Sequence, residues 1–284
     1  MTSYLIGLVG SGIGPSLTPD LHQREADHHG LRYLYRRIDI DGLGLGAAEA
    51  GELVRGARRF GYDGLNITHP CKQTVIPHLD GLSADAAALG AVNTVVFDGD
   101  RAIGHNTDWS GFAQSFARGL KDAPARRVVQ LGAGGAGAAV AHALLTLGVD
   151  RVTLVDTDPE RAAALAGALA GRFGPARAGA ADSGRLAELL AGADGLVHAT
   201  PTGMARHPGL PLSVELLRPH LWVADLVYRP LVTELIGRAR ALGCRTLDGA
   251  GMAVFQAADA FRLFTGREPD TERMLAHMTT LVTA

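Results

Sequence analysis

Two side chains in the first half of the sequence have the chemistry of a proton relay. Lys72 stands in Asn66-Ile67-Thr68-His69-Pro70-Cys71-Lys72, where a short apolar run ends in polar side chains around a proline-controlled turn. An amine poised beside a substrate hydroxyl can take its proton while a carbinol is oxidised; a lysine at such a turn is more often a solvated surface charge. Asp108 either N-caps a helix beginning near Ser110 or pairs with Lys72 and touches the same hydroxyl. Ser16 and Thr18, just ahead of Pro19, can hold a carboxylate, or one of them caps the helix that Pro19 begins. Asn93 lies in the buried register of an apolar run, and a buried amide needs partners.

A second group has the chemistry of a phosphate cradle. Gly132, Gly134 and Gly137 stand in the G-x-G-x-x-G spacing, with Ala133, Gly135 and Ala136 between them, after the apolar run Val128-Val129-Gln130-Leu131. The first glycine permits a tight turn, the second lets backbone approach a pyrophosphate, and the third lets helix pack on strand. Glycine supplies 37 of 284 residues, so the spacing alone also arises by chance or as a packing turn without a ligand. Its context is more specific. An apolar helical run over 138–147 ends at Gly148, and a second apolar strand, 151–155, ends at Asp156. This is a βαβ unit whose terminal acid stands where a carboxylate would accept hydrogen bonds from an adenosine ribose.

The elements that must position these groups follow from periodicity and punctuation. Strands are expected at 5–10, 33–40, 64–67, 91–97, 128–131, 151–155, 194–200, 221–228 and 245–247. Helices are expected from Pro19, over 49–61 and 84–89, near Ser110, and over 138–147, 160–171 and 252–264, with 98–100 a hairpin turn and 173–184 a loop. The pattern predicts an α/β protein: an N-terminal α/β domain followed by a Rossmann-type, doubly wound parallel sheet. Three strand ends carry further polar or turn-forming groups, at Thr68, Thr200 and Tyr228; Tyr228 either faces a ligand or caps the core with its hydroxyl in water.

Composition narrows the partners. A net charge of −2 leaves no basic excess for nucleic acid. No apolar run reaches membrane-spanning length, and the first residues do not read as a signal peptide, so a cytoplasmic protein without a membrane partner is expected. Cys71 and Cys244 are isolated thiols, and the 11 histidines form no ligand cluster, so no metal is expected.

These motifs, taken together and in order, resemble the shikimate/quinate dehydrogenase family. The resemblance rests on Ser16-x-Thr18-Pro19, Asn66-x-Thr68-x-Pro70-x-Lys72, Gly90-Ala91-Val92-Asn93-Thr94, Gly104-x-Asn106-Thr107-Asp108 and Asp248-Gly249-x-x-Met252-x-x-x-Gln256. It implies a substrate domain over 1–109, completed by helices in 252–284, a cofactor domain over 110–251, and an active-site cleft between them. It implies that Ser16 and Thr18 hold the substrate carboxylate, that Thr68, Lys72, Asn93, Asp108 and Gln256 hold ring hydroxyls, and that Lys72 and Asp108 form the catalytic pair. Thr200, Val227, Gly249 and Met252 would line the cofactor, with Tyr228 near the substrate. The small-molecule substrate would be shikimate or quinate, and a homodimer is compatible with the resemblance.

Two departures bear on specificity. Thr18 stands where many biosynthetic members have serine. Asp156-Thr157-Asp158-Pro159-Glu160-Arg161 stands where NADP-dependent members carry an Asn-Arg-Thr run. Asp156 would accept from a free ribose 2′-hydroxyl and repel a 2′-phosphate, so NAD is the expected cofactor, with NADP disfavoured. Arg161 is the counter-argument, because its side chain could swing back to a phosphate. An NADP-dependent biosynthetic enzyme and an aminoshikimate-type dehydrogenase are the alternatives that share these motifs.

Overall fold

The computed structural model describes residues 2–283, which divide into two compact units, 2–110 with 254–283 and 111–253. The first unit holds β1 (Ser3–Gly10), α1 (Thr18–His28), β2 (Arg32–Asp39), α2 (Ala50–Arg59), β3 (Gly64–Ile67), α3 (Cys71–Thr74), β4 (Gly81–Leu82), α4 (Ala84–Leu89), β5 (Thr94–Asp98) and β6 (Arg101–His105). Its sheet runs β2-β1-β3-β5-β6-β4. The β1 pairs with β2 and β3 are parallel, whereas β3–β5 and β5–β6 are antiparallel. Gly99, at φ +56, turns the two-residue loop that joins Asp98 to its partner Arg101, a connection that needs positive φ.

Strand periodicity gives this sheet two apolar faces. One buries Val9, Leu65, Ile67 and Val95 with Val54 of α2; the other buries Ile6, Leu8, Tyr33 and Tyr35 with Phe261 and Phe264. The latter two lie on α10 (Ala250–Thr265), which continues beyond the first-unit boundary. It is followed by α11 (Thr271–Thr283). Arg273 of α11 bonds the carboxylate of Glu25 on α1 at 2.6 and 2.9 Å, and Glu25 is only 2 % exposed. Burial pushes the Glu25 carboxyl up, but Arg273, the Asp270 amide and His29 together hold it below its ordinary value.

The aromatic face encloses one ionisable ring. His22 is fully buried, its Nδ1 2.9 Å from the Tyr33 hydroxyl, with the rings of Tyr35, Phe261 and Phe264 around it. Burial lowers its pKa from 6.5 to about 3. Between those values the unfolded chain binds a proton that the folded chain does not, so stability falls as pH falls from 6.5 toward 3. In His22→Gln the loss of urea midpoint between pH 7 and pH 5 is expected to be smaller than in the parent. An unchanged slope would remove His22 as its source.

The second unit begins within α5 (Asp108–Gly119) and contains β7 (Arg127–Leu131), α6 (Gly135–Thr146), β8 (Arg151–Val155), α7 (Pro159–Phe173), β9 (Ala178–Ala180), α8 (Leu186–Ala191), β10 (Gly195–His198), β11 (Trp222–Asp225), α9 (Glu234–Ala241) and β12 (Arg245–Leu247). Its sheet runs β12-β11-β10-β7-β8-β9, and every pair is parallel. The chain therefore winds outward from β7 through β8 to β9, then returns beside β7 with β10. That reversal is the topological switch point where such sheets bind ligands. The central strands β7, β10 and β11 are short and almost wholly buried, as parallel sheets with covered faces require.

Three sequence expectations are corrected here. The 173–184 segment is not a continuous loop, because 178–180 form the edge strand β9 on β8. Its residues, Ala-Gly-Ala, carry no strand propensity, and pairing alone makes them a strand. The strand expected over 221–228 stops at Asp225, whose carboxylate accepts the Val227 amide at 3.1 Å and diverts the backbone. The strand expected over 91–97 starts at Thr94, leaving Asn93 buried just ahead of it. No helix among the described residues is long and apolar enough to cross a membrane.

Candidate functional site

In the first unit the polar residues gather at the C-terminal ends of β1 and β3. The Ser11 amide donates to the His69 carbonyl at 2.9 Å and the Thr68 amide to the Val9 carbonyl at 2.9 Å, so the loop leading to Ser16 and the turn after Thr68 share one sheet edge. Ser16 and Thr18 are half-buried. Neither caps α1 in the expected way: Leu17 occupies the N-cap without a side-chain bond, while Ser16 Oγ accepts the Thr18 amide at 3.3 Å.

Lys72, on the single turn of α3, is not a solvated charge. Its Nζ lies 2.5 Å from Asp108 Oδ2, with only 20 % of the lysine side chain and 10 % of the aspartate side chain exposed. Asp108 is not the helix cap either, because α5 already begins at Asp108 and the amides of Asp108 and Trp109 donate to Asn106 Oδ1 at 3.0 and 3.4 Å. Asn106 takes the capping role, which frees the Asp108 carboxylate for Lys72. Asn93, 3 % exposed, donates to Asp108 Oδ1 at 3.0 Å and to Thr107 Oγ1 at 2.9 Å, while its own carbonyl accepts the Thr107 amide at 2.7 Å.

Gln256 lies half-buried on α10, one turn before Asp259. Asp259 accepts from Ser110 at 2.5 Å, and Ser110 is on the first turn of α5 with Asp108. The structure thus brings Lys72, Asn93 and Asp108 into one bonded group, with Thr68 on the adjoining turn and α10 tied to the same helix start.

In the second unit the glycine turn has the form of a phosphate cradle. Gly132 adopts φ +99, and a Cβ there would come 2.6 Å from the Ala199 carbonyl oxygen. A Cβ on Gly137 would come 2.3 Å from the Gly132 carbonyl oxygen, whereas one on Gly134, the N-cap of α6, would meet nothing within 4 Å. The turn is therefore closed toward the sheet and open where the helix presents the unpaired amides of Gly135 and Ala136.

Asp156, at the end of β8, reaches this turn. Its Oδ2 accepts the Ala133 amide at 2.7 Å and its Oδ1 the Asp158 amide at 2.9 Å. Partial burial pushes the Asp156 carboxyl up, but those amides and the nearby Arg161 charge hold it below its ordinary value. Arg161 itself is paired: Asp158 caps α7 by accepting the Glu160 and Arg161 amides, and its Oδ2 takes the Arg161 guanidinium at 3.0 Å. Both side chains are about half exposed.

Gly249 and Met252 line one recess with Ser115, Leu226 and Asp248, while Val227 is buried beside it in sequence. Tyr228 is half-buried; burial pushes its phenol up, which Arg229 partly opposes.

Among the buried polar residues that the sequence reading passed over, two touch the glycine turn and the strand end at Thr200. Gln130, on β7, donates through Nε2 to the carbonyls of Gly132 and Gly137 at 2.9 and 2.8 Å, pinning both ends of the glycine turn. His198, on β10, lies between Asp225 and Thr200: Nδ1 is 2.9 Å from Asp225 Oδ1 and Nε2 is 2.5 Å from Thr200 Oγ1. Asp225 also accepts the Thr233 hydroxyl at 2.6 Å. With Nδ1–H donating to Asp225, a neutral ring leaves Nε2 to accept the Thr200 hydroxyl, whose oxygen accepts the Thr202 amide. A polar residue inside an apolar strand, the signal that singled out Asn93, marks both. Among the described residues no group of three or more His, Cys, Asp or Glu is placed to hold a metal.

Comparison with known proteins places this geometry in context. Residues 8–95 match the profile of the shikimate dehydrogenase substrate binding domain and residues 249–279 that of the shikimate 5′-dehydrogenase C-terminal domain; residues 128–206 match a saccharopine dehydrogenase NADP binding domain. The chain is 71 % identical to a shikimate dehydrogenase (NADP(+)) of Streptomyces avermitilis, over 98 % of this chain and 96 % of that protein. It is 51 % identical to a quinate/shikimate dehydrogenase (NAD(+)) of Corynebacterium efficiens, over 96 % of this chain and 97 % of that one. Among solved structures, the quinate dehydrogenase of Corynebacterium glutamicum in complex with NAD superposes with a TM-score of 0.94 at 47 % identity, covering 99 % of this chain and 100 % of its own.

Proposed function

Because the chain belongs to the shikimate/quinate dehydrogenase family, oxidoreductases acting on a CH–OH group, we propose that it oxidises the ring 3-hydroxyl of shikimate or quinate reversibly to the 3-dehydro ketone, with NAD as the cofactor. The observation that carries this reading is the half-buried Lys72–Asp108 contact at 2.5 Å, held from behind by Asn93. An amine fixed by a carboxylate at a strand's C-terminal edge is a proton acceptor already oriented for a substrate hydroxyl.

In this reading Ser16 and Thr18 hold the substrate carboxylate, and Thr68, Asn93, Asp108 and Gln256 hold the ring hydroxyls, with Tyr228 bordering them. Lys72 Nζ, in its uncharged form, receives the proton of the reacting hydroxyl as its carbon gives up a hydride, and afterwards releases that proton to solvent. Asp108 keeps Nζ in place and balances its charge through the step. Asn93 already gives both amide hydrogens to Thr107 and Asp108, so a ring hydroxyl engages it by sharing one of them.

The glycine turn suits a dinucleotide: open at Gly134 and closed at Gly132 and Gly137. Residues 132–137 would take the pyrophosphate, Asp156 the ribose, with Asp158 and Arg161 flanking it, and Thr200, Val227, Gly249 and Met252 the nicotinamide end. Bound there, the nicotinamide supplies the hydride acceptor; the chain supplies orientation and the proton path. The ionised Asp156 favours NAD, since it would repel a 2′-phosphate, and Arg161 is already engaged by Asp158. NADP is the second reading, favoured by the cofactor in the name of the Streptomyces avermitilis relative.

Initial rates with shikimate, quinate and an amino analogue, each against NAD and NADP, test the proposal. NAD reduction with shikimate or quinate is the expected result. A strong NADP preference would overturn the reading of Asp156, and preference for the amino analogue that of the substrate.

A further inference from the structure

We propose that Tyr35, remote from the sheet edge that carries Lys72, is a positioning residue for the Lys72–Asp108 pair, acting through Asn66, Thr94 and Asn93. The inference rests on the proposed role of that pair in proton transfer. Each link is a hydrogen bond. The Tyr35 hydroxyl donates to Asn66 Oδ1 at 2.6 Å, Asn66 Nδ2 donates to Thr94 Oγ1 at 3.0 Å, and the Thr94 hydroxyl donates to Asn93 Oδ1 at 3.1 Å. Asn93 Nδ2 then donates to Asp108 Oδ1, and Asp108 Oδ2 meets Lys72. From Tyr35 to Asp108 no residue in the series is more than 7 % exposed.

Sheet topology explains how so distant a residue joins this group. β1 separates β2 from β3, with Ile6 level with Tyr35 and Leu8 level with Asn66. Ile6 and Leu8 point to the same face, so Tyr35 and Asn66 do too, and Thr94 is the direct partner of Asn66 on β5. Crossing an intervening strand takes about 9.5 Å, two strand spacings. A tyrosine spans that gap; a serine or threonine at position 35 would leave the hydroxyl stranded beneath Ile6.

The series has one polarity. Thr94 has a single hydrogen, and it reaches Asn93 Oδ1 only while its oxygen accepts from the Asn66 amide nitrogen. Asn66 presents that nitrogen because its carbonyl is taken by Tyr35, and its Nδ2 also donates to the Asn93 main-chain carbonyl at 3.3 Å. An Asn66 turned over would set two carbonyl oxygens against each other and draw the Thr94 hydrogen away from Asn93. Tyr35 therefore reinforces the orientation that the Asn93 main-chain carbonyl imposes on Asn66 and the Thr107 amide imposes on Asn93, and with it the amide hydrogen that steers the Asp108 carboxylate toward Lys72.

Steady-state kinetics of Tyr35→Phe, Thr94→Val, Thr94→Ser and the Tyr35→Phe/Thr94→Val double variant, alongside chemical denaturation of each, test the proposal. Tyr35→Phe and Thr94→Val are each expected to lower kcat on the order of 5- to 10-fold, the worth of one buried hydrogen bond, with KM for the polyol acid near the parent value. Thr94→Ser keeps the hydroxyl but loses a buried methyl, so it is expected to be less stable and yet to retain kcat, an order that loss of packing alone does not produce. The double variant is expected to turn over like Thr94→Val, because Tyr35 acts through Thr94. Folded Tyr35→Phe and Thr94→Val proteins with parental kcat would overturn the proposal, and so would multiplicative effects in the double variant. Lys72→Ala separates this from the reading beneath it: if Lys72→Ala is inactive while Tyr35→Phe and Thr94→Val are parental, only the relay is wrong. If Lys72→Ala retains parental turnover, the proposed proton transfer fails first.

Discussion

Lys72→Ala is expected to lower kcat by about 10²- to 10⁴-fold, the usual worth of a positioned general acid–base group, while KM for the polyol acid changes little. The split follows from where the lysine is held. The hydrogen bonds that place Ser16, Thr18 and Thr68 do not run through the Lys72 side chain, so the proposed carboxylate contacts survive its removal. What is lost is a proton acceptor whose Nζ stands 2.5 Å from Asp108 Oδ2. Asp108 keeps the Asn93 hydrogen bond in the variant, and the first turn of α5 keeps its Asn106 cap, so the fold should persist. A circular dichroism spectrum like the parent's, together with initial rates of NADH formation, checks both halves. Parental turnover in the folded variant would mean that another group takes the proton.

Asp156→Asn is expected to raise KM for NAD by about 10- to 100-fold, the size of a charge-assisted hydrogen bond of roughly 1.5–3 kcal/mol. Discrimination against NADP should weaken at the same time, because the charge that repels a 2′-phosphate is gone. The carboxyl is held below its ordinary value by the Asp158 and Ala133 amides despite partial burial. It is therefore ionised across the neutral range, and the preference for NAD should be flat from pH 6 to 8. An asparagine can still accept one of those amides, so the glycine turn should hold its shape and kcat at saturating NAD should stay near the parent. Arg161 supplies the complementary check. Freed from Asp158 by Asp158→Ala, it should improve use of NADP only if its guanidinium can reach the ribose. Equal KM values for NAD in parent and Asp156→Asn would remove the carboxylate from cofactor recognition.

The order of elements, the glycine turn and the polar groups at strand ends were legible in the sequence because each is a local pattern. A run of buried residues makes a strand, a glycine with positive φ makes a turn, and Gly90, Gly99 and Gly132 each occupy one. The same reasoning left Asp108 between two roles, since a helix cap and an ion-pair partner look alike in sequence; the structure gives the cap to Asn106 and the carboxylate to Lys72. It missed β9, whose Ala-Gly-Ala is a strand only because β8 lies beside it. It singled out Asn93 but passed over Gln130 and His198, although all three carry the mark of a polar side chain in an apolar run.

Sequence by itself determined which groups capable of chemistry this chain possesses and that most of them follow the end of a strand, because strand and turn propensities act over a few neighbouring residues. Only tertiary structure decided which of those groups meet. Lys72 and Asp108 lie on separate helices, and Tyr35 reaches Asn66 across an intervening strand. Hydrogen-bond partners at such separations are chosen by strand order and register, and no local preference encodes either.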